Sequence, residues 1–390
     1  MIRVGFLLNH DAAHQVMHSV PAAFELARLY PEISVTVIST TAVEEEAVAV
    51  IAADYPGVAC AFTTAAQPTF ARVFDQLTGH ALLAKRFAVL WHHRQLFRSF
   101  DVLIVPDKTS RLLKSWLGAA CPLMIYTFHG AGDRAGGFRG TAGFDYYLVP
   151  GRNYETRLVA EGMIPPGRYS VVGYAKLDRF RHGPRPKFFA NDRPTVLYTP
   201  HFDPKYSSWY GWGASVLDYF AGNDDYNLIF APHVLLFRRG WHISNEGGWP
   251  KRTPPMPARF RDRQNILVDL GSTASVDMTY TRAADIYLGD VSSQVYEFLY
   301  EPRPCIFLNR GGIHWQDDVN FRFWNLGDVL TTLDDLPAAL GRARSDPARY
   351  RAQQEHAVAE AFDMTDTPSA VRAADAIAAF ITSRGMRESP

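Results

Sequence analysis

The stretch DIYLGDVSSQVYEFLYEPRPCIFL, residues 285–308, decides the fold. Residues 285–288 form a short apolar run that stops at Gly289 and Asp290, and residues 305–308 form a second run, Cys-Ile-Phe-Leu. Between them Val295, Phe298 and Leu299 stand at i, i+3 and i+4, which makes one apolar face on a helix. Ser292 or Ser293 sits where a hydroxyl caps the first turn. A strand, a helix and a second strand, both strands apolar along their whole length, read as a parallel pair covered on both faces.

The same alternation runs outward through the chain. Residues 3–8, 34–39, 102–105, 123–128, 146–149, 171–172, 195–198, 227–230 and 266–268 read as buried strands, most ending in Pro, Gly, Asp or Ser. Helical periodicity fills residues 18–30, 44–54, 82–98 and 153–161. No repeat of 20–50 residues appears. At 390 residues the chain is long enough for two domains. The polar, proline-bearing segment RFRHGPRPKFFANDR, residues 179–193, separates two sets of strands of similar size. The expected division is residues 1–181, residues 182–365, and a terminal helical segment, 366–390, returning toward the first domain.

Composition narrows the function. Apolar residues are 47% and charged residues 21% of the chain, which excludes disorder as the main state. Lys and Arg number 40, as do Asp and Glu, so no global field draws the protein to nucleic acid or an anionic membrane. Three cysteines, Cys60, Cys121 and Cys305, with no CxxC spacing argue against a disulfide framework or a structural zinc site. The start MIRVGFLL meets Asn9, His10 and Asp11 too early for a signal peptide, and no run of about 18 apolar residues exists. A cytoplasmic enzyme is expected, at most peripheral on the inner membrane face.

Polar residues just past the strand ends carry the chemistry. Residues 123–128 lead into His129-Gly130, residues 195–199 into Pro200-His201, and residues 227–231 into Pro232-His233. Residues 285–289 lead into Asp290, Val291, Ser292 and Ser293. The carboxyl ends of parallel strands share one edge, so within each domain these imidazole, hydroxyl and carboxylate groups converge where acid–base chemistry and phosphate binding take place. A helix starting at Ser292 offers N–H groups and a positive dipole end to an anion, although the same pattern also fits a plain cap. Such a site needs no metal, and no metal or cofactor is expected.

Three further segments have two readings each. GAGDRAGGF, residues 130–138, departs from GxGxxG and is either a close approach to a phosphate or an ordinary loop. Residues 235–263 hold seven Lys and Arg against two acids, with Trp241 and Trp249 among them: a solvated loop, or a surface for a polyanionic acceptor. LLAKRFAVLWHHRQLFR, residues 82–98, is a core-packing helix, or a basic face with Lys85, Arg86, Arg94 and Arg98 toward lipid headgroups. GxSxG, HExxH and a Walker-type loop are absent, so the chemistries they mark have no support.

Taken in order, four segments resemble the CDP-glycerol glycerophosphotransferase family of teichoic-acid-type polymerases and primases. They are TFHG at 127–130, VVGYAKLD at 171–178, LYTPHF at 197–202 with FAPH at 230–233, and DVSSQVYEF at 290–298 running into the strand at 305–308. The resemblance covers about half the chain. The chain departs from it at Phe128, where the family has Trp, at Ala175-Lys176, where it has Pro-Arg, and at His201, where Thr is commoner.

The resemblance implies a GT-B fold, two Rossmann-like doubly wound parallel-sheet domains facing across a cleft, with the nucleotide on the second domain and the acceptor on the first. His129 matches the general base and His233 the second essential histidine. Asp290, Ser292, Ser293, Gly173, Tyr198, Pro200 and His201 would serve the CDP-linked donor, and Gly130, Asp133 and Arg134 the acceptor. The expected reaction moves a glycerol-phosphate-like group to a hydroxyl of a cell-surface polymer or its lipid-linked primer, releasing CMP. A GT-B glycosyltransferase using a nucleotide sugar, an enzyme like the UDP-sugar 2-epimerases, and a non-catalytic binding module are the alternatives.

Overall fold

The computed structural model describes residues 1–9, 15–69, 71, 84–130, 132, 140–180, 183–244 and 246–386. The chain divides into two compact units. The first comprises residues 1–130, 138–182 and 359–390, the second residues 131–137 and 183–358.

The first unit is built on a parallel sheet of seven strands: β1 (Ile2–Leu7), β2 (Ile33–Ser39), β3 (Ala61–Thr64), β4 (Val102–Val105), β5 (Leu123–Thr127), β6 (Tyr146–Val149) and β7 (Tyr169–Val171). Their order is β3-β2-β1-β4-β5-β6-β7. The order reverses between β1 and β4, and that is where a doubly wound sheet opens a crevice at its carboxyl edge. Residues along β4 alternate between two cores. Val102 and Ile104 pack with Val4, Phe6 and Val37 on one face, while Leu103 and Val105 pack with Leu7, Ile38 and Met124 on the other. Burial on both faces explains why this strand reads as an unbroken apolar run.

The second unit has β8 (Thr195–Thr199), β9 (Asn227–Phe230), a two-stranded antiparallel hairpin of β10 (Trp241–His242) and β11 (Lys251–Arg252), then β12 (Ile266–Val268), β13 (Ile286–Gly289), β14 (Cys305–Leu308) and β15 (Asp328–Leu330). Its parallel sheet runs β12-β9-β8-β13-β14-β15, with the reversal between β8 and β13. Val196, Tyr198, Leu228, Phe230, Ile286 and Leu288 fill one face against the helices Gly213–Ala221 and Leu336–Ser345. On the opposite face Tyr287 meets Phe298 of the helix Gln294–Phe298, ring centroids 5.5 Å apart.

Residues 285–308 thus form a strand, a short helix and a parallel strand, with Val295, Phe298 and Leu299 fully buried as the periodicity requires. Within the two parallel sheets the apolar pattern of the sequence does not mark β3 and β15. Both are sheet edges, paired on one side only, so their residues carry little of the apolar signal that marks central strands.

Residues 82 and 83 lie outside the described residues; the rest of the stretch 82–98 holds two helices, Ala84–His92 and Arg94–Arg98, separated at His93. Lys85 is only 9% exposed and does not belong to an outward basic face. That face carries Phe87 and Trp91 instead, Trp91 with 52% of its surface open and the Arg94 guanidinium 4.4 Å above its ring.

Candidate functional site

In the first unit the carboxyl edge of the sheet gathers groups from three strand ends. His129 stands two residues past β5, and its Nδ1 lies 2.8 Å from the carbonyl oxygen of Pro106, just past β4. A carbonyl only accepts, so Nδ1 carries the proton and Nε2 holds the lone pair of the neutral ring. Burial pushes the imidazole down to about 4; the Pro106 bond raises it, and the charges of Lys108 and Arg86 lower it further. Burial lowers Lys108 as well. Arg86 is held from behind by Asn9, at the end of β1, whose Nδ2 donates to the Arg86 carbonyl oxygen at 3.4 Å.

Asp107 is buried beside this edge and accepts from the Ser110 backbone N–H at 3.0 Å, the Ser110 hydroxyl at 2.6 Å and the Thr109 hydroxyl. Burial raises its carboxyl against those bonds. The strand-end signal that singles out His129 extends to Asp107 in Val105-Pro106-Asp107, which no motif marks. Gly130 lies partly exposed beside His129, whereas Asp133 and Arg134 lie outside the described residues.

The VGYAKLD segment stays with the first unit. Gly173 has φ +83°, a left-handed conformation, and a Cβ there would collide with the Ser369 hydroxyl. Asp178 accepts from the backbone N–H groups of Ser369 and Ala370. Gly173 is thus packed against the start of the helix Ser369–Ser383 in the first unit, while Asp290, Ser292, Ser293, Tyr198, Pro200 and His201 belong to the second.

In the second unit the ends of β8, β9 and β13 meet at the reversal point. Asp290 is fully buried, and its Oδ2 accepts from the backbone N–H of His201 at 2.9 Å and of Ser208 at 2.8 Å. Its Oδ1 has no hydrogen-bond partner. Burial pushes the carboxyl up to about 7, against those bonds and the charge of Arg310. Asp290 therefore ties the ends of β13 and β8 together. Tyr198 is also buried, its hydroxyl 2.7 Å from that of Ser208, and Pro200 is buried as well, so both support the site from inside.

His201 is buried with its Nδ1 accepting from the Asp203 N–H, so the neutral ring carries its proton on Nε2. Its ring lies 4.5 Å from Phe202 and 5.3 Å from His233. His233 accepts on Nδ1 from the Leu235 N–H at 3.2 Å, which leaves Nε2 as its N–H donor. Burial, with a contribution from His242, lowers it to about 4. His242, on β10, completes the ring cluster: Phe202 is 4.7 Å from His233 and 5.7 Å from His242. No sequence signal marks His242, because a two-residue strand in a basic loop has no periodicity to read.

Ser293 is the exposed residue at the start of the helix Gln294–Phe298 and makes no side-chain capping bond. Ser292, partly exposed, accepts from the Gln294 N–H at 3.2 Å. Gly132, within the second unit, lies so close that a Cβ there would stand 3.0 Å from that of Ser293. Behind the helix the buried guanidinium of Arg303 donates to the carbonyl oxygens of Phe298, Ala284 and Glu301 and so satisfies the helix end. His233 and Ser292 are partly exposed and Ser293 is exposed, while Asp290, His201 and His242 around them are buried.

Two doubly wound parallel sheets, each with its order reversed at the crevice, define the GT-B class. No protein-family profile and no curated protein sequence matches the chain. Solved structures match along its whole length. A UDP-N-acetylglucosamine 2-epimerase from Listeria monocytogenes has a TM-score of 0.60 at 12% identity, covering 100% of this chain and 98% of that one. S. aureus MnaA, in a structure with UDP, has a TM-score of 0.58 at 12% identity, covering 100% and 99%. The wall teichoic acid polymerase TagF has a TM-score of 0.60 at 14% identity, covering 98% and 90%. At these identities the likeness is one of fold.

Proposed function

We propose that this protein is a transferase that moves a glycerol-phosphate-like group from a CDP-activated donor to a hydroxyl of a cell-surface polymer or its lipid-linked primer. The observation that carries the reading is the tautomer of His129. Its Nδ1–H is committed to Pro106, so its Nε2 is the basic nitrogen at the carboxyl edge of the first sheet. The likeness to TagF, one structure of which was obtained after a CDPG soak, and the order of the four sequence segments support the donor class.

In the proposed step the acceptor oxygen forms a bond to the donor phosphorus that carries the polyol. The bond from that phosphorus to the bridging oxygen breaks, and CMP leaves with the oxygen and its electron pair. The acceptor proton passes to Nε2 of His129. Burial, assisted by the charges of Lys108 and Arg86, keeps the imidazole neutral, and an anionic phosphate bound beside it offsets those charges and raises its basicity toward the working range. His233 donates its Nε2–H to the phosphoryl or departing oxygen, and the hydroxyls of Ser292 and Ser293 take the donor phosphates. The step needs no metal from the protein.

The direct assay is CMP release from CDP-glycerol and CDP-ribitol in the presence of a primed acceptor. Release above background supports the reading, and background release with both donors overturns it. A nucleotide-sugar reaction is the second reading, favoured by the equal TM-scores of the 2-epimerase and TagF. Thermal-shift measurements separate the two, since a ligand at 100 times its Kd stabilises by about 2.7 kcal/mol. CDP or CMP raises Tm under the first reading, UDP under the second.

A further inference from the structure

The hairpin of β10 and β11 leaves the carboxyl edge of the second sheet a few residues after His233, and apart from His242 its residues have no place in the proposed transfer step. One side of it is anchored. His242 is buried and its Nε2–H donates to the Leu236 carbonyl oxygen at 3.1 Å, while its ring packs near Phe202. Ser244 donates to Asp203 at 3.1 Å, and the base is closed by Thr253 N–H to the Gly240 carbonyl oxygen at 2.9 Å.

The other side faces water with an unusual set of groups. Trp241 and Arg252 are directly opposite each other in the antiparallel pair, so their side chains share a face. Trp241 is 60% exposed and Trp249 is 90% exposed; Arg252 is exposed on the Trp241 face, and Arg238 and Lys251 are exposed elsewhere on the same segment, Lys251 opposite His242. No carboxylate among the described residues pairs with these three cations. Indole rings held in water lose their hydrophobic contribution to folding, and cations without partners are free to meet an external anion. Exposed rings and unpaired positive charges gathered on one anchored hairpin suit a chain of polyol units joined by phosphates.

We infer that this hairpin is the docking surface for a phosphodiester-linked polyol or glycan chain, the growing acceptor, which it holds beside the His233 end of the second sheet. The chemical identity of that chain rests on the transferase reading; the surface itself rests on the hairpin. Electrostatic contact of this kind weakens with salt, because each neutralised phosphate releases counterions.

The test measures Kd of the full-length protein for a poly(glycerol phosphate) chain of about ten units at several salt concentrations. A single-stranded oligodeoxynucleotide with the same number of phosphates, uncharged dextran and phosphatidylglycerol vesicles serve as competing probes. The expected result is tightest binding to poly(glycerol phosphate). The variant Lys251→Gln/Arg252→Gln should bind at least about tenfold more weakly, with a salt slope shallower by about one to two. Trp249→Ala, at a nearly fully exposed position, should weaken binding about fivefold or more and gives a second readout if the charge variant fails to fold. Variants binding within twofold of wild type overturn the proposal, as does tighter binding of wild type to DNA, dextran or vesicles. CMP release by the wild-type protein is scored separately. Hairpin-dependent binding without CMP release defeats only the transferase reading, and CMP release without hairpin-dependent binding defeats only the hairpin.

Discussion

The carboxylate of Asp178 accepts the backbone N–H of Ser369 at 3.0 Å, across 191 positions of sequence. Its second oxygen accepts the N–H of Ala370 at 2.8 Å. These are two of the donors that the first turn of the helix Ser369–Ser383 cannot satisfy within itself, so a side chain from the first set of strands caps the last helix of the chain. Asp178→Ala should lower stability by about 1–2 kcal/mol, read as a shift of the urea midpoint with an unchanged m value. An unchanged midpoint would show that the cap contributes nothing.

The two histidines predict both activity and acid stability. His129→Ala and His233→Ala should each lower CMP release at least about 10²-fold with fold and Tm retained. Both imidazoles sit at about 4 in the folded protein, below the ordinary histidine value of 6.5. The unfolded chain therefore binds more protons between these values, and stability should fall as pH drops from about 6.5 to about 4. Substituting either histidine with Gln should flatten that decline in a pH series of chemical denaturation.

Asp290 predicts the opposite slope over nearly the same pH range. Its folded value of about 7 lies above the unfolded carboxylate range, so the native state holds a proton that the unfolded state has lost. Its contribution falls as pH rises from about 4 to about 7. Asn keeps an oxygen for the N–H groups of His201 and Ser208 and removes the titration. Asp290→Asn should therefore gain on wild type as pH rises from 5 to 8. Parallel stability curves for the two proteins would disprove this assignment.

The exposed face of the helix Ala84–His92 predicts weak, salt-sensitive attachment to anionic lipid through Phe87, Trp91 and the nearby arginines. Each Arg near such a surface contributes about 1 kcal/mol. Flotation with phosphatidylglycerol vesicles at low salt should recover part of the wild-type protein, and Trp91→Ser/Arg98→Glu should remain at the bottom of the gradient. Equal recovery of both proteins, or none of either, would make the face an ordinary solvated surface. Among the described residues no helix is long and apolar enough to cross a membrane.

Sequence alone determined the parallel α/β class, because strands such as β4 and β14 bury every residue and leave an unbroken apolar run, and because Gly, Pro, Asp and Ser mark where such strands end. The strand-end rule also placed His129, His233, Asp290, Ser292 and Ser293 at the carboxyl edges of the two sheets, since each lies within a few residues of an apolar run. Tertiary structure decided what each of these groups contacts. That Nδ1 of His129 faces the Pro106 carbonyl, that Asp290 is enclosed and holds two distant N–H groups, and that Gly173 and Asp178 seat the C-terminal helix depend on partners far away in the chain. Periodicity reports only which face of an element is apolar. Hydrogen bonds between strand ends, and the burial that shifts a titration, exist only once the sheets have brought those ends together.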